Sequence, residues 1–198
     1  MKRLILALPL FAGLALAVSA VPAAAQASIP APAVAASAIY APITVAEVEA
    51  AQRAWGDALV AISTAYDTKG HAAAKLIAGQ VLDAAYAYNM GPVLFKPTLT
   101  QAPQTFRTTR EGALAYFVGG DTAYPSDSGF ATKHWRRYQL DNAGIVITGN
   151  SAISMGNLSL WDAKGNMTKV DKTWGYVRGS DGKLRIVLHH SSLPYSPD

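Results

Sequence analysis

The feature that most restricts the fold of this chain is a change of period part-way along it. Helical spacing governs the first half, and strand spacing runs from there to the C-terminus. Past Gly129 the sequence reads as strands over roughly 133–142, 144–148, 151–161, 166–178 and 183–190. Their turns are Asp141-Asn-Ala-Gly144, Gly149-Asn150, Asp162-Ala-Lys-Gly165 and Gly179-Ser-Asp-Gly182, each built from residues that tolerate tight reversals. Upstream, Thr44-Val-Ala-Glu47 fits a capping box, and Val48, Ala51, Trp55, Leu59, Ile62 and Tyr66 follow at helical intervals. Asp67 to Gly70 breaks this helix before a second stripe of Ala73, Leu76, Ile77, Val81, Ala84 and Tyr88, which Asn89-Met-Gly91 stops. Val93-Leu-Phe95 reads as a short strand. Thr108-Thr-Arg-Glu111 reads as a second capping box, opening a short helix that Gly119-Gly120 closes. Helices followed by antiparallel strands imply an α+β domain, its N-terminal helices packed on one face of a curved antiparallel sheet.

Lys2-Arg3, an apolar run from Leu4 to Val18 and Ala23-Ala24-Ala25 have the form of a cleaved export signal over residues 1–25. An uncharged Ala/Pro-rich tether follows over 26–43, and the domain occupies 44–195. The expected location is therefore periplasmic or secreted, with no membrane contact after cleavage. Loss of Lys2 and Arg3 leaves 15 Lys and Arg against 13 Asp and Glu, a formal charge of +2 instead of +4. The remaining cations are scattered, so nucleic acid is not an expected partner. The chain has no cysteine, which excludes disulfides, thiolate catalysis and thiolate metal sites. No His-x-His or His-Glu-x-x-His spacing appears, and no glycine-rich phosphate loop follows a strand, so neither a metal nor another cofactor is expected.

The candidate site residues are few. His189 and His190 occupy adjacent strand positions and point to opposite faces. His190 shares its parity with Leu184, Ile186 and Leu188, the apolar side, and His189 with Lys183, Arg185 and Val187. His190 is thus the candidate general base, its alternative being a hydrogen-bonded strand-end histidine. Asp57, on the first helix, is a second candidate acid–base group or else a solvated carboxylate. Lys96, Tyr116, Trp135, Asn157, Trp174 and His189 are candidate ligand-binding residues: a cation in an apolar stretch, flat aromatic walls, and a mid-strand amide beside Gly156. The aromatics read equally well as core. Ser191 and Ser192 lack a Gly-x-Ser-x-Gly elbow and read as strand terminators instead of nucleophiles.

Leu188-His-His-Ser-Ser-Leu-Pro194 and Val93-Leu-Phe-Lys-Pro-Thr-Leu99 after Tyr86 resemble segments of the calcium/calmodulin-dependent kinase II association domain and its bacterial stand-alone relatives. The likeness runs from Thr44 to Pro194 and places the chain beside the nuclear transport factor 2-like superfamily, which includes SnoaL-like cyclases. Ala51-Gln-Arg-Ala-Trp-Gly-Asp57, Phe106-Arg107, Gly112-Ala-Leu-Ala-Tyr-Phe-Val-Gly-Gly120, Asn142-Ala-Gly-Ile145 and Met155-Gly-Asn157 resemble exported bacterial proteins often labelled phosphoribosyl-AMP cyclohydrolase. That enzyme is a cytoplasmic metal protein with cysteine ligands, a chemistry that a cysteine-free exported chain disfavours. The resemblance implies a cone-shaped domain that assembles as a homo-oligomer, a dimer or larger. The expected function is small-ligand or peptide binding without demonstrable catalysis. The alternative is a cofactor-free isomerase, dehydratase or cyclase, with His190 or Asp57 as base and Asn157 or Tyr116 as donor to an oxyanion.

Overall fold

The computed structural model describes residues 41–197. The export signal and all but the end of the Ala/Pro-rich tether lie outside the described residues. Helices α1 (Val45–Lys69), α2 (His71–Ala85) and α3 (Arg110–Val118) pack on a five-stranded sheet. Its strands are β1 (Leu94–Lys96), β2 (Trp135–Thr148), β3 (Ser151–Asp162), β4 (Met167–Arg178) and β5 (Leu184–Ser192), in the order β1-β5-β4-β3-β2. Only β1 runs parallel to its neighbour. This is the α+β layout expected, with helices on one face of a curved, mostly antiparallel sheet.

The capping box at Thr44 is present: the Glu47 amide donates to Thr44 Oγ1 (3.3 Å) and the Thr44 amide to Glu47 Oε2 (2.8 Å). Arg178 grips the same carboxylate from β4, which holds Glu47 down to about 2 and fastens the helix start to the sheet. The second box is not formed. Thr109, one residue later than expected, caps α3 through the Gly112 amide. α2 ends at Ala85, short of Asn89-Met-Gly91, because Tyr86 turns extended and bridges to Ile186.

Between helices and sheet lies a core that includes Val48, Trp55, Leu59, Ile62, Leu82, Phe95, Phe117, Leu158, Leu160, Trp174 and Ile186. Burying each such side chain stabilises the fold by roughly 1.5–3 kcal/mol. Two irregularities set which residues face it. The Asp141–Gly144 segment, expected as a turn, is a bulge within the single long strand β2. Gly156 lies opposite; a Cβ there would stand 2.1 Å from the Asp141 carbonyl oxygen. On β5, Gly175 pairs with Leu188 but Tyr176 pairs with Ile186, leaving Val187 as an extra residue. That second bulge decides the site.

Candidate functional site

Inner-face parity on β4 runs Val170, Lys172, Trp174 and Tyr176, all buried. On β5, the extra residue at Val187 reverses the alternation between Ile186 and the histidines. His189 and Ser191 therefore point inward, 1% exposed each, and His190 points out to solvent. The expected orientation of the two histidines is corrected accordingly. Regular alternation had assigned His190 to the apolar face, and the bulge hands that place to His189.

His189 lies at the centre of an aromatic box. Its ring stacks on Phe95 at 4.5 Å and meets the edge of Trp55 at 5.5 Å. Both nitrogens are engaged: Nδ1 with the Tyr86 hydroxyl at 2.8 Å, and Nε2 with Lys172 Nζ at 2.6 Å. The Tyr86 oxygen also accepts from Trp55 Nε1 at 2.9 Å. Lys172 Nζ sits 4.5 Å from the centre of the Trp55 ring, within reach of its π face.

Ser191 stands opposite Lys172 in the β4–β5 ladder. Its hydroxyl shares a 2.6 Å hydrogen bond with Thr98 Oγ1, just past β1, and its carbonyl accepts from Lys96 Nζ at 3.1 Å. Tyr116, from α3, brings its hydroxyl beside Thr98 with no partner in hydrogen-bond geometry. Trp174 Nε1 is likewise buried without a partner. One end of the interior thus gathers four hydroxyls, an imidazole and an amine from α3, β4, β5 and the segments just past α2 and β1. Next to it, Gln52 on α1 bonds Asn142 and Ser154, pinning the β2 bulge to the helix.

Electrostatics follow from burial. Desolvation by burial drives His189 well below the ordinary imidazole range, so it stays neutral. Desolvation alone lowers Lys172 to about 7. Among the described residues no carboxylate lies within ion-pair distance of Lys172. The phenols of Tyr86 and Tyr116 are pushed up by burial and remain protonated donors.

The remaining candidates scatter. Trp174 forms a wall of the box, 5.7 Å from His189. Trp135 is core, its Nε1 donating to the Phe130 carbonyl. Asp57 is exposed on the outer side of α1 and accepts from the Tyr138 hydroxyl, because a position two residues after Trp55 falls off that helix face. Asn157 lies on the outer sheet face bonded to Asp171, not in the interior, since its parity opposes Leu158. Lys96 is half-buried and holds the Ser191 backbone. Ser191, Thr98, Tyr86 and Lys172 were not among the expected site residues. Lys172 did carry a signal: a lysine at the same parity as Val170, Trp174 and Tyr176.

One surface groove, of about 330 Å³ on the outer sheet face, includes Lys172, Asn157 and His190 in its lining, and two others lie elsewhere. One of about 530 Å³ between α1, α2 and the β4–β5 ribbon is lined largely by alanines with Val81, Leu184 and Ile186. Another, of about 630 Å³, includes Asp83 and Arg110, already bonded to each other. The linings of these two do not include Ser191, Thr98 or Tyr116, whose buried hydroxyls make their cluster the candidate site. Among the described residues no three His, Asp or Glu side chains are placed to hold a metal ion.

Residues 46–193 match the family described as metal-independent carbonic anhydrase. The chain belongs to that family. It is 61% identical over 153 residues to the metal-independent carbonic anhydrase of Nostoc sp. strain PCC 7120, covering 77% of this chain and 75% of that protein. The crystal structure of the iota-carbonic anhydrase from a cyanobacterium complexed with bicarbonate is 60% identical, with a TM-score of 0.78, covering 79% of this chain and 95% of that one. A putative calcium/calmodulin-dependent protein kinase II association domain from Xanthomonas campestris is similar at 24% identity and a TM-score of 0.49, covering 76% and 88%. Membership overturns the expectation of a binding domain without catalysis, because the matched family and relatives are enzymes by name. It also replaces both narrower labels, the association domain and the cyclohydrolase.

Proposed function

We propose that this chain interconverts carbon dioxide and water with bicarbonate and a proton, without a metal, at the cluster of Ser191, Thr98, Tyr116, His189 and Lys172. The observation that carries this reading is the run of inward hydroxyl donors beside a neutral imidazole and an amine, in a chain 60% identical to a structure bound to bicarbonate. Hydration turns an apolar, uncharged substrate into an anion. Catalysis therefore needs donors aimed at the oxygens where charge develops, plus a group that accepts a proton from the attacking water.

The Ser191–Thr98 pair and the free Tyr116 O–H are such donors, held on rigid elements in a dry interior where their dipoles act strongly. Lys96 fixes the Ser191 backbone, and the Phe95 ring lies between Tyr116 and His189, touching both. The test is stopped-flow hydration of carbon dioxide by the purified protein, before and after exhaustive chelation. Activity that survives chelation and falls about 100-fold in Tyr116→Phe supports the reading. Activity no higher than buffer alone, or activity lost on chelation, overturns it.

The reading extends to export and self-association. The leader-like N-terminus supports a location outside the cytoplasm. Exposed Val146, Ile153, Met155 and Met167 on β2–β4 make the outer sheet face the surface for a second copy. Ile153→Lys should shift the sedimenting species toward monomer; an unchanged sedimentation coefficient removes that face from consideration.

A further inference from the structure

Lys172 is a buried amine that the hydroxyl cluster alone does not explain. A lysine 3% exposed, with no carboxylate at ion-pair distance among the described residues, has no structural partner that would justify burying a full charge. Its surroundings specify the charge state. Trp55 Nε1 can only donate, so the Tyr86 oxygen accepts from it and keeps its own proton for His189 Nδ1. The imidazole, neutral because it is buried, then carries its proton on Nε2, which faces Lys172 Nζ at 2.6 Å. A donor there needs a lone pair opposite, and only an uncharged amine has one. Hydrogen-bond direction and desolvation thus both favour the uncharged amine at rest.

We infer that Lys172 is the group that takes the proton released when water adds to carbon dioxide. The inference rests on the carbonic anhydrase reading of the site and deepens it. His189 is unsuited to the task, since its Nε2 already carries a proton, its Nδ1 faces the Tyr86 hydroxyl and burial suppresses its basicity. The buried or half-buried titratable groups around Lys172 include His189 on β5, Tyr86 after α2, Tyr116 on α3, Tyr176 on β4 and Lys96 at β1, while its strand neighbours Lys169 and Asp171 and the adjacent His190 are exposed on the other face. The three phenols are pushed up by burial, and Lys96 is engaged by the Ser191 carbonyl. Trp55, which faces Nζ from α1, does not titrate. Lys172 alone binds a proton with an affinity suited to neutral pH.

The step balances simply. The water oxygen forms a bond to the carbon, one C=O pair moves onto a carboxylate oxygen, and the water proton goes to Nζ, whose single lone pair leaves the His189 Nε2–H bond to take it, giving bicarbonate and an ammonium. The faces of Trp55 and Trp174, 4.5 and 5.5 Å from Nζ, hold the cation briefly. Once protonated, Nζ has no lone pair left for His189 Nε2–H, so the network favours passing the proton to solvent and resetting.

The test uses Lys172→Met, which keeps the stem and removes the amine, and selective observation of lysine Nζ by nitrogen NMR in the resting protein. In weak buffer Lys172→Met should lose about 100-fold in kcat, and lose the limb of the pH profile near neutrality. Imidazole added as a small external proton acceptor should restore at least about tenfold of that loss, which no repacking defect would allow. In the wild type the Lys172 resonance should titrate near neutral pH. A variant with wild-type kcat and pH profile, a loss that imidazole does not relieve, or a resonance titrating in the ordinary lysine range each overturns the assignment. Should the wild type itself fail to hydrate carbon dioxide, the carbonic anhydrase reading falls; the resonance still reports on the amine separately.

Discussion

Among the described residues two basic side chains, Arg107 and Lys172, belong to buried residues, and they are treated in opposite ways. Arg107 receives a bidentate carboxylate from Asp127 at 2.8 and 2.9 Å, the carbonyls of Gln104 and Phe106, and the face of Tyr124 at 4.5 Å. Lys172 receives an imidazole and two indoles. A guanidinium cannot shed its proton, so burial obliges the protein to pair it, and the pair staples the 97–109 segment to the loop preceding β2. An amine can shed its proton, and leaving it without a counter-ion makes it do so. The difference separates a side chain that holds the structure together from one that is kept titratable for use.

That contrast can be broken at several points. Arg107→Ala should cost about 3–5 kcal/mol in urea unfolding, because Asp127 would be left buried and unpaired. A cost below about 1 kcal/mol would remove the pair from the stabilising side of the comparison. Ser191→Ala should lower carbon dioxide hydration by about 100-fold, roughly 2.7 kcal/mol, with little change in melting temperature; a protein that loses stability but keeps its rate would recast Ser191 as scaffold.

Lys172→Met sharpens the comparison through pH. The folded amine titrates near 7 and the unfolded one in the ordinary lysine range, so between those values the unfolded chain binds more protons. Wild-type stability should therefore rise with pH across that window by about 1.4 kcal/mol per unit from this group, and the penalty is complete at and below its lower edge. The methionine variant lacks this rise, so its advantage over wild type should be greatest near pH 7 and shrink by pH 9. A difference that does not change with pH would mean the amine is charged in the fold. Smallest of all, His190→Ala and Asp57→Asn should each change stability by less than about 0.5 kcal/mol and activity by less than about twofold, since both side chains are solvated. A larger loss of activity at His190 would return it to the site.

Local signals in the sequence led reliably to the elements. Thr44 with Glu47, the Val48–Tyr66 stripe, Gly119 and the Gly179–Gly182 turn each act through neighbours a few residues away, and each lies where expected. Long-range geometry was illegible for an identifiable reason. Facing direction on a strand is a parity, so one extra residue at Val187 inverts every assignment beyond it, including His189 and His190. The Asp141–Gly144 bulge carries the same composition as a turn. The hydroxyl cluster joins Thr98, Tyr116 and Ser191, which no spacing rule relates, and a metal-free hydration site carries no ligand motif to search for. Lys172 was readable as a cation at apolar parity, but its meaning came only with its partner.

The glycine across from the β2 bulge gives this fold a point of leverage. Any larger residue at position 156 must drive the Asp141 carbonyl aside, and with it Asn142, which is tied to Gln52 and through it to Ser154. Ser154 neighbours Trp174 across the β3–β4 ladder, so a single methyl group placed on that outlying ribbon would be felt at the wall of the aromatic box around His189. Gly156→Ala is thus a way to perturb the proposed site without altering any of its own side chains.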